Sequence, residues 1–342
     1  MQRRNFLGAL ALTTTALNLA SCMDDSEAVD STATATTATQ SELASHDGAL
    51  TLYYEFRLAG PEKARMLAAV DELGLRLRNQ AGFLSLALKN TVGDSTMVKN
   101  YPANLKGILG TAYRDGFAAG RMPLFYALLI RFQNNAQLQA ANVTGWFTQT
   151  IEPLLHIYQM QNGAPVKTDL VLDYYQGYFK TVAAGDRNAI YTDAASILAF
   201  LKVPQDSPDK GYTTVENHVV IRAAKTAEFN EKVKVLLTTA QNTFRPDFGD
   251  ADFNAMLDPA GVGQSGSATN SYYRKAVTTE ILQNLAIEGD TRSYLMHGVW
   301  ESVWDHENSH LDSRFMQSST PVGAYVIEGP VEPFYATERL VV

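Results

Sequence analysis

Two histidines four residues apart, His306 and His310, stand in the run Val303-Trp304-Asp305-His306-Glu307-Asn308-Ser309-His310, and Glu332 follows in Gly329-Pro330-Val331-Glu332-Pro333. On a helix, residues i and i+4 lie about one turn apart and point the same way, so both imidazoles can reach one cation. Two imidazoles plus a carboxylate brought in by a later strand form the ligand set of a mononuclear iron site with open positions. The flanking prolines narrow the conformations of the turn and so fix where the Glu332 carboxylate points. Spacing alone equally fits a polar helix face with two solvated histidines and an exposed turn glutamate. His297 alternates with Leu295 and Val299 on a predicted strand, which suits a core histidine or one that supports a ligand from behind. Tyr325 and Tyr335 are near the three residues in sequence and could line a pocket.

The elements that must position these groups come in two sets with one rhythm. Within 47–160, Leu52–Leu58 predicts a strand, a helix follows Pro61, and Ala81–Leu88 turns back as a second strand. Leu124–Phe132 predicts a third strand, a helix carries Trp146 and Phe147, and Leu154–Tyr158 predicts a fourth strand. Within 213–342, His218–Arg222 predicts a strand and Ala227 to about Phe244 a helix. Tyr294–Glu301 predicts a strand, Val303 to about Gln317 a helix, and Ala324–Ile327 a strand. Strand–helix–strand–strand–helix–strand is the ferredoxin-like unit. Two such units can pair their sheets into an α/β barrel, each covering the apolar face the other exposes. The expected class is therefore α+β, with a helical connector at 161–212, where Tyr174, Tyr175, Tyr178 and Phe179 stand at helical spacing. An insertion at 245–290 is expected to end in a helix, about Tyr272 to Leu285.

The run Trp300–His310, followed by Gly329-Pro330-Val331-Glu332-Pro333-Phe334-Tyr335, resembles the iron-site repeat of the sulfur oxygenase/reductases. Those enzymes are built from ferredoxin-like units of the dimeric α/β-barrel kind, shared with antibiotic-biosynthesis-type monooxygenases. The resemblance implies His306, His310 and Glu332 as ligands to a mononuclear non-haem iron, ahead of zinc or manganese, with water completing the shell. It covers about residues 299–336 and places the metal in the second repeat rather than the first. The family holds sulfur as a persulfide on a cysteine in the first helix of the metal repeat; the matching helix here, about 227–244, has none. The resemblance thus implies an oxygenase acting on a small substrate with O₂, inorganic sulfur being one candidate. Two alternatives stand beside it: a non-catalytic metal- or ligand-binding protein, and a cofactor-free monooxygenase of the antibiotic-biosynthesis type.

Residues 1–22 read as an export signal: Arg3-Arg4 precedes Phe6-Leu7 and an uncharged, mostly apolar run too short to anchor a chain across a bilayer. The twin arginine resembles the twin-arginine pathway signal, and Leu19-Ala20-Ser21-Cys22 resembles a lipobox, with Cys22 as the acylated residue. The expected location is the periplasmic space or the outer membrane of a bacterium, with the Cys22 lipid as the membrane contact. Residues 23–46, rich in Asp, Ser, Thr and Ala, read as a disordered tether. Cys22 is the chain's one cysteine, which excludes disulfides, iron–sulfur clusters and thiol nucleophiles from the mature chain. Loss of the signal removes two of 28 basic and none of 36 acidic residues, moving the net charge from −8 to −10 and arguing against nucleic acid as a partner. A homo-oligomer is compatible with the fold. Gly261-Val262-Gly263-Gln264-Ser265-Gly266 spells a dinucleotide fingerprint but follows Asp-Pro-Ala instead of a strand, so it reads as a loop. His156 follows a Glu-Pro pair in the first repeat, which lacks a His-x-x-x-His partner and is expected to be metal-free.

Overall fold

A computed structural model describes residues 39–94, 124–204, 206–244, 273–310 and 312–342. The signal, Cys22 and the Gly261–Gly266 run lie outside the described residues. Eight strands close into an antiparallel barrel in the order β12-β10-β7-β2-β4-β3-β14-β9, and β9 pairs back onto β12. They are β2 Leu50–Leu58, β3 Phe83–Asp94, β4 Leu124–Phe132, β7 Tyr174–Asp186, β9 Thr213–Arg222, β10 Thr278–Asn284, β12 Thr291–Trp300 and β14 Pro333–Val341. Outside the ring, β1 (Thr39–Ser41) pairs β11 (Ala286–Glu288), β5 (His156–Gln161) pairs β6 (Ala164–Val171), β8 (Ile190–Tyr191) pairs β7, and β13 (Val326–Val331) pairs β9. The helices are α1 Lys63–Leu77, α2 Asn135–Ala140, α3 Val143–Trp146, α4 Ala194–Leu201, α5 Thr226–Asn242, α6 Val303–Ser309 and α7 Ser313–Gly323.

The strands read as almost continuously apolar because both of their faces are covered. On β2, Leu50, Leu52, Tyr54, Phe56 and Leu58 point outward to a core shared with α1, where Met66, Val70, Leu73 and Leu77 recur at helical period. Tyr53 points the other way, into a barrel core with Leu129, Phe179, Leu282, Leu295 and Tyr335. In the second half, Val219 and Ile221 of β9 face outward against Phe229, Val233 and Leu237 of α5. Burying one such side chain stabilises the fold by about 1.5–3 kcal/mol.

Several sequence expectations are corrected. The aromatic run at 174–179 belongs to a 13-residue strand, β7, so 161–212 is not a helical connector. β7 is the fourth strand of the first half, and the expected strand at 154–158 becomes part of the β5–β6 hairpin instead. Tyrosines three and four apart suit a helix face, but they also serve on a strand with both faces packed, where period cannot decide. The expected helix at 272–285 is the strand β10, buried at every residue. The tether ends earlier than residue 46: β1 pairs β11, and Glu42 binds Arg292 at 2.5 Å. The expected helix 303–317 is two helices. Asp312 restarts the chain by accepting from the Arg314 backbone N–H, a capping role for which its short carboxylate is suited.

Candidate metal centre

The strand that ends the chain is broken where the candidate carboxylate sits. Along β13, Glu328 pairs Val220 and Val331 pairs His218, so three steps on one strand match two on the other. This extra residue is a bulge, which bends a strand and re-aims its side chains. Gly329 takes the bulge at φ +96°, and a Cβ there would stand 2.4 Å from the His218 carbonyl oxygen, so no other residue fits. Beyond the bulge, Val331 is opposite His218 and Phe334 opposite Val215, which leaves Glu332 beside Asn217. Asn217 Nδ2 donates to Glu332 Oε1.

The histidines are set by α6. Ser302 Oγ donates to Asp305 Oδ2 at 2.6 Å and accepts from the Asp305 backbone N–H at 3.2 Å, closing the first turn. The buried Asp305 also takes the Arg274 backbone N–H at 2.7 Å. His306 is buried, and Trp300 and Phe334 hold its ring edge-on at centroid distances of 5.4 and 5.3 Å. His310 packs on Phe315 at 4.8 Å, and the two imidazoles are 4.4 Å apart. Just past them, Asp312 accepts from Tyr273 at 2.7 Å and from the Arg314 guanidinium. Arg314 holds the Asp312 carboxyl well below its usual range, while burial and then Asp312 push the Tyr273 phenol up to about 12.

One donor atom from each of His306, His310 and Glu332 lies within 4.8 Å of the other two. Three donors each about 2.0–2.2 Å from one ion, at angles of about 90–120°, stand roughly 2.8–3.8 Å apart. Side-chain rotation can draw the three donors in around one ion, and two imidazoles with a carboxylate are a donor set that fits a divalent metal. The three open onto a cavity of about 530 Å³ between the sheet and α5, α6 and α7. Val233, Leu236, Leu237 and Ala240 of α5 form its apolar wall, and no cysteine is among its lining residues.

Neither tyrosine that is near in sequence joins them. Tyr325 Oη donates to Glu228 at 3.2 Å and its ring packs on Phe229. Tyr335 points into the barrel, because Phe334 takes the outward position. His297 also points inward and lies 3.3 Å from Glu216, on the other side of the sheet from the trio. His156 Nδ1 lies 3.0 Å from the Thr168 carbonyl within its hairpin. Sequence reasoning missed Asn217, Trp300 and Phe334 as supports. It also missed a second cluster, Glu55, Glu216 and His218, inside the barrel. Charged residues amid apolar strand runs, Tyr54-Glu55-Phe56 and Val215-Glu216, were the available signal.

Residues 49–137 match the ABM-like domain family, and residues 182–338 match the CT0912-like C-terminal domain family. The chain carries an ABM-like domain of the dimeric α/β-barrel superfamily. No curated protein matches. Among solved structures, a candidate monooxygenase from Fusobacterium nucleatum subsp. nucleatum is 8% identical, with TM-score 0.48 over 86% of this chain and 94% of its own. An anthrone oxidase-like protein is 12% identical, with TM-score 0.47 over 89% and 95%. A chlorite dismutase variant from Candidatus Nitrospira defluvii is 10% identical, with TM-score 0.34 over 86% and 94%.

Proposed function

We propose that this protein is an exported, lipid-anchored mononuclear non-haem iron oxygenase acting on a small substrate, built from two ferredoxin-like repeats and related to the sulfur oxygenase/reductases. The observation that carries the reading is the convergence of His306, His310 and Glu332 at the edge of a cavity of about 530 Å³. A purely structural metal site closes its shell with four protein ligands. Three ligands beside a void of the size used for small molecules leave positions for exchangeable ones. Ferrous iron in a two-histidine, one-carboxylate setting supplies adjacent open positions for substrate and O₂. When both oxygen atoms enter a reduced substrate, no external reductant is required.

The protein's own groups bind, orient and exclude water. Trp300 and Phe334 fix the His306 ring, Phe315 flanks His310, and Asn217 holds Glu332. The α5 wall offers apolar contact where the resemblance would require a thiol, so a persulfide route is closed. An apolar or phenolic substrate suits that wall better than a sulfur chain.

The test is metal analysis of anaerobically purified protein together with oxygen uptake. One iron per chain at this site and uptake with catechol-like substrates, assayed beside sulfide and polysulfide, are expected, with both lost in His306→Ala and in His310→Ala. Metal bound without uptake on any substrate would make it a metal-binding protein instead. Uptake that survives both substitutions would assign the chemistry to a cofactor-free monooxygenase.

A further inference from the structure

On the opposite face of β9 from Asn217, five polar side chains crowd together inside the barrel. Tyr53 Oη lies 2.6 Å from Glu55 Oε1 and 2.5 Å from Glu216 Oε2. His218 Nε2 is 3.0 Å from Glu55 Oε1, and His297 Nδ1 is 3.3 Å from Glu216 Oε1. Tyr53 and Glu216 are fully buried, whereas the Glu55 and His218 side chains are 19% and 26% exposed and give the cluster an entry path. One donor each from Glu55, Glu216 and His218 lies within 4.8 Å of the others.

Two features of this cluster ask for a cation. The first is charge. Asp206 and Glu280, two further buried acids, are each paired with a full cation, Lys89 and Arg131. Among the described residues, no lysine or arginine lies within 4.0 Å of Glu55 or Glu216; they face imidazoles and a hydroxyl. Two carboxylates so placed are costly to bury without compensation.

The second feature is the proton count. A phenol has one hydrogen, yet Tyr53 touches two carboxylates at hydrogen-bonding distance. After it donates to one, the contact with the other lacks a hydrogen. Glu216 Oε1, His218 Nε2 and His297 Nδ1 lack a well-aligned hydrogen bond although their separations are only 3.0 and 3.3 Å. A cation would accept lone pairs from several of these atoms at once.

We propose that Glu55, Glu216 and His218 form a second divalent-metal site inside the barrel, with the Tyr53 hydroxyl at its edge and His297 steadying Glu216. An imidazole with two carboxylates and no thiol selects a first-row transition ion such as zinc, manganese or ferrous iron. Side-chain alternation along β9 separates the two centres, Asn217 serving Glu332 on the outer face and its neighbours serving this one within.

The experiment is equilibrium dialysis of the purified full chain, stripped with chelator, against Zn(II) and, in parallel, Co(II), whose visible absorption reports its ligands. Two equivalents are expected in the wild type. One should remain in the His306→Ala/His310→Ala double variant, and none when Glu55→Gln or His218→Ala is added to it. Glu55→Gln keeps the side chain's shape, so it decides the matter if His218→Ala fails to fold. One equivalent in the wild type and none in the double variant would overturn the barrel site and leave a shared proton in its place. A remaining equivalent indifferent to both added substitutions would overturn it too. A wild type with one equivalent, kept by the double variant and lost with Glu55→Gln, would uphold the barrel site and sink the histidine trio.

Discussion

Asn217→Ala isolates how much of the metal affinity depends on aiming one carboxylate. Asn217 Nδ2 donates to Glu332 Oε1, and this bond holds the acid beside the two rings. Ordering one flexible side chain is worth about 0.5–1.5 kcal/mol. A hydrogen bond to a charged group is worth about 1.5–3 kcal/mol in all. Only the part of that energy that keeps Glu332 in place counts toward metal affinity. The expected loss is therefore about tenfold, with roughly 100-fold as the ceiling seen when groups supporting metal ligands are removed.

Competition with a chromophoric chelator at fixed pH measures this directly, using Fe(II) or Co(II). The variant should still bind one equivalent at the trio, more weakly, because all three ligands remain. The decisive arm is Asn217→Ala in a Glu332→Ala background. If Asn217 acts only through the carboxylate, the second substitution adds nothing there. An unchanged affinity in the single variant, or an equal loss in both backgrounds, would refute the reasoning.

Further predictions follow from the neighbouring contacts. Lys89→Met should cost about 3–5 kcal/mol in urea unfolding, because it strands Asp206 among Thr214 and Thr337 without its cation, and Lys89→Met/Asp206→Leu should recover most of that loss. Burial pushes the Asp206 pKa up, but Lys89 and its hydrogen bonds outweigh this and leave it lowered. Its contribution should therefore be complete above the ordinary aspartate value and vanish as pH falls through the folded value, a loss that Asp206→Asn would remove from an acid titration of stability. Gly329→Ala should destabilise by about 1–3 kcal/mol and weaken metal binding at the trio, since the bulge can no longer close on the His218 carbonyl. Ala240→Leu adds three carbons to the cavity wall and should depress substrate-dependent oxygen uptake while metal stoichiometry stays the same.

The legible parts of this sequence were those in which residue type and period agreed. α1 and α5 carry clear apolar stripes, and the helix predicted after Pro61 starts at Lys63. β7 and β10 were not legible, because strands packed on both faces lose the alternation that marks a strand. Convergence of the trio depends on the Gly329 bulge, and Gly329-Pro330 in the sequence marks an irregularity without giving its direction. A single residue of register decides whether Phe334 or Tyr335 faces the histidines, and sequence proximity cannot supply that. The inner cluster draws Glu55 from β2 and Glu216 from β9, and only barrel closure brings these strands' inner faces together.

The two halves share one topology yet fill the same place differently, and that difference explains why the candidate chemistry is in the second. In the first half, Phe147, just after α3, stacks on the outward ring of Tyr54 at 4.0 Å with planes 3° apart, and Tyr174 closes the gap at 4.8 Å. Three aromatic side chains pack against one another between sheet and helix there. In the second half, the corresponding strand β9 presents Val215, Asn217 and Val219 outward, and the helix after β12 brings His306 and His310 instead of a phenyl ring. Smaller strand residues and a helix broken at Asp312 cannot fill the layer, so the space remains as the cavity. Interiors of proteins are close-packed, and a void of that size forgoes the contacts that hold the first half together. A ligand entering the second half would restore them, and the polar groups that could hold it stand at the point where the aromatic stack is missing.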